Sequence, residues 1–193
     1  MSVALLGYGF KVAHTAYTKR AFELADVVSD APCFCDYQQL DVLFPGSKFV
    51  YLERALELWV PSMQMLLKKM LAQLDFKTGY LNPVLKRCFN DTFALSVAEQ
   101  PLSKQHLEDC YRKHRQGVIN YFNQRENLLT INISQKNSLT SLLHFLNITD
   151  ECINDFPKLN VGKQVDSWKN FKHHNKINAL AAGKEHKKFF DYT

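Results

Sequence analysis

Lys48-Phe49-Val50-Tyr51-Leu52-Glu53-Arg54, continuing as Ala55-Leu56-Glu57-Leu58-Trp59-Val60-Pro61-Ser62, decides the fold. Phe49 to Leu52 is a short apolar run of β-forming residues. It has little polar alternation, which predicts a strand covered on both faces, as in a parallel sheet. Pro45-Gly46 marks the turn ahead of it. After Arg54 the period changes. Leu56, Val60, Met63, Leu67, Met70, Leu71 and Leu74 recur at helical spacing. Arg54 therefore stands where a strand hands over to a long helix. Ligands of open α/β sheets bind outside the carboxyl ends of the strands. An arginine there, beside the free N–H groups of a helix start, suits an anion. Ser62 follows about two helical turns on, where its hydroxyl can face the same place. The plainer alternative is that Arg54 pairs with a nearby carboxylate and Ser62 is an ordinary helix residue.

Upstream, Met1 to Leu6 is apolar and ends at Gly7 and Gly9, the pattern of a helix end with a glycine stop. Phe10 to Ala13 reads as a strand, Thr18 to Ala25 as a helix, Val27-Val28-Ser29 as a brief strand, Asp30-Ala31-Pro32 as a turn, and Asp36 to Phe44 as a helix. This alternation indicates a parallel α/β sheet. Downstream, helices are expected over Val84 to Leu95 and from Ser103, the expected N-cap, through Phe122. Leu128 to Ile133 is a strand and Ser138 to Leu146 a short amphipathic helix. His114 lies on the apolar face of its helix, which suits a hydrogen-bonded core histidine better than a catalyst. Arg112, Lys113 and Arg115 lie off that face and read as solvated surface, or more sharply as substrate steering.

A strand ending in Arg54, with Ser62 eight residues on in the next helix, resembles the 3′-phosphate-binding element of the sulfotransferases that use 3′-phosphoadenosine 5′-phosphosulfate (PAPS). The resemblance implies that Arg54 and Ser62 bind the 3′-phosphate of the nucleotide. Many members have Asn-Pro or Asp after the arginine, where this chain has Ala55-Leu56. Val3 to Val12 resembles the helix-Gly-strand that follows the family's phosphate loop. Phe145-Leu146-Asn147-Ile148 and Asp155-Phe156-Pro157-Lys158-Leu159-Asn160 resemble late elements of bacterial-type members. The resemblance thus runs in order from about residue 3 to 163. Asp30 falls where many members carry the histidine that takes the acceptor's proton, which implies Asp30 as the catalytic base. Its ordinary pKa of about 3.9 makes it a weak base without desolvation. The alternative is that Asp30 caps the turn before Pro32.

The implied fold is α/β, a parallel sheet of the P-loop NTPase type flanked by helices, with a sulfotransferase-like domain over 1–162 and a basic aromatic tail over 163–193 packed on it. The family's first strand and 5′-phosphosulfate-binding loop have no counterpart here, nor has its late Arg-Lys-Gly element. The expectation is a shortened form or a natural remnant of the fold, without the loop that holds the sulfonate donor and with its activity left open. Its unpaired sheet edge would favour a homodimer. The implied reaction is sulfonate transfer from PAPS, as co-substrate, to a hydroxyl or amine of a small molecule or glycan. No metal is implied.

The 193 residues suit one domain, and 46% hydrophobic content supports a core. A net charge of +5 fits a phosphate-bearing ligand but is too small to argue for nucleic acid. Five cysteines without disulfide-type spacing read as core thiols in a reducing, cytoplasmic setting. No run reaches the roughly 18 apolar residues of a membrane span. The tail mixes Trp168, Phe171, Phe189 and Phe190 with lysines. It reads as an amphipathic helix anchored by Trp168 and Phe171, its lysines in water. Two further functions stay open: a non-catalytic interaction module on the same fold, and a nucleic-acid-binding protein using the tail.

Overall fold

The computed structural model describes residues 1–149, 155–157 and 168–182. In chain order it contains α1 (Ser2–Gly7), β1 (Val12–Ala13), α2 (Lys19–Leu24), β2 (Val27–Val28), α3 (Tyr37–Leu43), β3 (Phe49–Leu52), α4 (Leu56–Met70), α5 (Pro83–Phe93), α6 (Lys104–Tyr121), β4 (Leu128–Ile131) and α7 (Ser138–Phe145). A 3-10 turn, Leu71–Gln73, extends α4, and another covers Trp168–Asn170. The chain is therefore a mixed α/β protein. It divides into two compact units, Met1–Ala31 with Leu129–Thr193, and Pro32–Leu128.

In the first unit β1 and β2 pair in parallel, Val12 opposite Val27 and Ala13 opposite Val28. Ser29 N–H donates to the Ala13 carbonyl at 3.0 Å, so the two strands end side by side. Val12 and Ala13 are fully buried, with Leu5 and Leu6 of α1 and Leu142 and Leu143 of α7 among the buried apolar residues of this unit. Thr18 caps α2, its hydroxyl accepting from Ala21 N–H.

The other edge of β1 is occupied by the tail. Val12 N–H donates to the Asn175 carbonyl and Ile177 N–H to the Val12 carbonyl, each at 2.9 Å. This differs from the expected amphipathic helix: among the described tail residues the only helical element is the turn at Trp168–Asn170. Nor is Lys176 in water. Its ammonium donates to the carbonyls of Trp168 and Phe171, both at 2.6 Å, and lies 4.5 Å from the Trp168 ring centre. Backbone pairing with a buried strand outweighs the helical spacing of two aromatics. The 162/163 boundary, Lys184, Lys187, Lys188, Phe189 and Phe190 lie outside the described residues.

The second unit packs α4, α5 and α6 around Val60, Leu67, Leu74, Phe89, Phe93, Leu95 and Leu107. Asn82 caps α5, with Pro83 at its first turn, and Ser103 caps α6 by accepting from His106 N–H. β3 is half-buried rather than covered on both faces. Phe49 and Tyr51 share the face that meets α6, at Phe122 (ring centres 4.8 Å apart) and His114 (5.8 Å). Leu52 points the other way and is 41% exposed. Phe49 N–H donates to the Asn127 carbonyl at 2.7 Å, which ties the start of β3 to the stretch entering β4.

The cysteine expectation is corrected at two positions. Cys35 and Cys88 are joined as a disulfide, with Cα atoms 5.5 Å apart, within the ordinary disulfide range. They are far apart in sequence, which is why spacing did not reveal them.

Candidate functional site

β3 ends at Leu52, and Glu53 and Arg54 lead directly into α4. Ala55 begins that helix with no side-chain cap, so its first N–H groups carry no side-chain acceptor. Arg54 is exposed and Ser62 half-buried. Arg54 Nη1 donates to Ser62 Oγ at 3.2 Å, and Ser62 Oγ in turn donates to the Leu58 carbonyl at 3.1 Å. The two residues singled out by spacing are thus in contact. A guanidinium, a hydroxyl and an uncapped helix start together make a cationic, donor-rich surface suited to an anion.

Two residues of α6 hold this turn. The Tyr111 hydroxyl accepts from Arg54 N–H at 3.2 Å and donates to the Arg54 carbonyl at 3.0 Å. Arg115 Nε donates to Glu53 at 2.5 Å. That pairing, first by hydrogen bond and then by charge, raises the Arg115 pKa above its ordinary value. His114, between them, donates from Nε2 to the Phe34 carbonyl at 2.6 Å, the bonded histidine that its apolar face suggested. Arg115 lies at the surface, its side chain 43% exposed, and is in addition paired with Glu53. Nothing local marks its partner, which lies 62 residues back.

Asp30 belongs to the first unit, at the carboxyl ends of β1 and β2. It has a left-handed backbone, φ 63°, uncommon for a residue with a side chain. Its carboxylate lies 3.5 Å from His14 Nε2, and His14 Nδ1 is 3.1 Å from the Ser29 hydroxyl. The Asp30 side chain is 38% exposed, yet its pKa is raised: partial loss of surrounding water pushes it up, against the opposing pull of His14. Asp30 is thus paired with an imidazole. Sequence reasoning missed His14 and Ser29. The available signal was the parallel pairing itself, which brings the residues just past the two strands together.

Among the described residues one group of potential metal ligands converges, Cys35, Asp36 and Cys88. Those atoms are engaged: the two sulfurs with each other, and Asp36 by Arg87 at 2.9 and 2.5 Å.

The chain is a mixed α/β protein with an arginine just past a strand end and a serine two turns into the next helix. Its family is shown by direct comparison: the family model described as a sulfotransferase domain matches residues 6–165, and the chain belongs to that family. No curated protein and no solved structure matches it. No helix among the described residues is long and apolar enough to cross a membrane.

Proposed function

We propose that the chain binds PAPS through Arg54 and Ser62 and serves transfer of its sulfonate to a hydroxyl or amine of a small molecule or glycan, on a fold of the P-loop type. The observation that carries this reading is the 3.2 Å contact between Arg54 Nη1 and Ser62 Oγ at an uncapped helix start. Arg54 would supply charge and a forked donor to the 3′-phosphate. The Ser62 hydroxyl can turn from the Leu58 carbonyl, which keeps its helical N–H donor, toward a phosphate oxygen.

In the transfer, the sulfur–oxygen bond to the 5′-phosphate breaks as sulfur bonds the acceptor oxygen or nitrogen. The acceptor's proton passes to Asp30 and the nucleotide 3′,5′-bisphosphate leaves. The raised pKa of Asp30 makes it a stronger base than an ordinary aspartate. Because the ionised form is the base, activity should rise with pH as Asp30 deprotonates.

The test is calorimetric titration of the chain with 3′-phosphoadenosine 5′-phosphate, beside Arg54→Ala. Micromolar binding lost in the variant supports the reading. A folded wild-type chain that does not bind the nucleotide overturns it.

A further inference from the structure

Glu53 immediately precedes Arg54 and carries the wrong charge for an anion site. In extended chain, successive side chains point to opposite sides. Glu53 meets α6, where Arg115 takes its carboxylate, while Arg54 turns to Ser62. Tyr111 lies four residues before Arg115, on the same face of α6. Its hydroxyl makes two hydrogen bonds to the Arg54 backbone, one in each direction. One turn of α6 therefore holds both the arginine that would meet the ligand and the acid that would repel it.

We infer that Tyr111 and Arg115 are positioning residues for the anion site: Tyr111 fixes the Arg54 main chain, and Arg115 withdraws the Glu53 carboxylate so that Arg54 stays available to a nucleotide 3′-phosphate. The inference rests on the reading of Arg54 and Ser62 given above. Its physical basis is short-range. A carboxylate released one residue from Arg54 can compete for the guanidinium or oppose the phosphate at a separation well inside the screening length of physiological salt. A guanidinium on an untethered backbone gives up part of its binding energy to ordering. Packing at the same turn, with Trp59 and Tyr111 ring centres 4.8 Å apart, keeps the phenol in place.

The experiment titrates the full chain with 3′-phosphoadenosine 5′-phosphate, and with adenosine 5′-phosphate as the probe lacking the 3′ group. Wild type, Tyr111→Phe, Arg115→Met and Arg115→Met/Glu53→Gln are compared, each checked for folding by circular dichroism. Tyr111→Phe should weaken the bisphosphate by about threefold to tenfold, the worth of lost hydrogen bonds. Arg115→Met should weaken it by about tenfold, and adding Glu53→Gln should restore most of that loss. Adenosine 5′-phosphate should change little. Wild-type affinity in both single variants overturns the inference. So does a loss in Arg115→Met that Glu53→Gln fails to rescue, because Arg115 would then act only by holding the structure. A wild-type chain that binds the bisphosphate no better than adenosine 5′-phosphate overturns the anion-site reading itself, and the inference with it.

Discussion

Arg54 reaches eight residues forward to Ser62, and Nη1 and Oγ stand 3.2 Å apart on the exposed side of α4. The Leu58 carbonyl that Ser62 also bonds is already served by the helix backbone. Loss of the hydroxyl should therefore leave the fold nearly unchanged, within about 0.5 kcal/mol. Ser62→Ala is expected to keep its melting temperature and bind 3′-phosphoadenosine 5′-phosphate about threefold to tenfold more weakly. Arg54→Lys keeps the charge but loses the forked donor and should lose about tenfold or more. Calorimetry on the two variants checks both. Equal loss for Lys and Ala at position 54 would point to geometry rather than charge.

Much of this was legible in the sequence because it is local. The change from apolar run to helical period at Arg54 located the end of β3 and the start of α4. The cap at Ser103 set the start of α6 through a contact three residues away. What was not legible depends on tertiary pairing. Asp30 finds His14 because β1 and β2 run side by side. Tyr111 and Arg115 find Arg54 and Glu53 because α6 packs on β3. The tail's lysines read as solvent-facing from sequence, yet Lys176 serves two carbonyls. Composition can tally a charge but cannot say which atoms surround it.

Asp36 offers a stability test. Its carboxylate is 4% exposed and is held from both oxygens by Arg87. The neighbouring residues, Cys35 and Cys88, join the same two segments covalently. Removing Arg87 would leave a buried carboxylate unpaired, which is costlier than losing the pair as a whole. Arg87→Met should destabilise the fold by about 2 kcal/mol, less than a fully buried pair because Arg87 is itself partly exposed. Arg87→Met/Asp36→Asn should recover part of it. Denaturant melts of the variants decide; a single variant as stable as wild type would mean that water reaches Asp36 freely.

The tail pairing can be tested at one donor. Ile177 N–H bonds the carbonyl of Val12, a residue with no exposed surface. Proline at 177 has no N–H to give and leaves that buried acceptor unmet. Ile177→Pro should cost about 1–3 kcal/mol. It should also speed amide exchange at Val12, whose own N–H is held by Asn175. Unchanged exchange at Val12 would show that the tail is not part of this sheet in solution.

Asp30 combines a left-handed backbone with a carboxyl pKa held above the ordinary range, mainly by desolvation. Both features cost stability. A raised folded pKa means that the folded state resists ionisation. This group's contribution is full below the unfolded value of about 4 and is lost as pH rises through the folded value. Asparagine tolerates the left-handed region and does not ionise. Asp30→Asn should therefore melt at a higher temperature than wild type near neutral pH, with the gap narrowing as pH is lowered toward about 4. The same substitution should abolish proton acceptance at this position. Thermal melts from about pH 4 to 7.5 check the sign. A gap that widens toward acid would mean that His14 stabilises the ionised carboxylate more than desolvation opposes it, and would remove the case for Asp30 as a strengthened base.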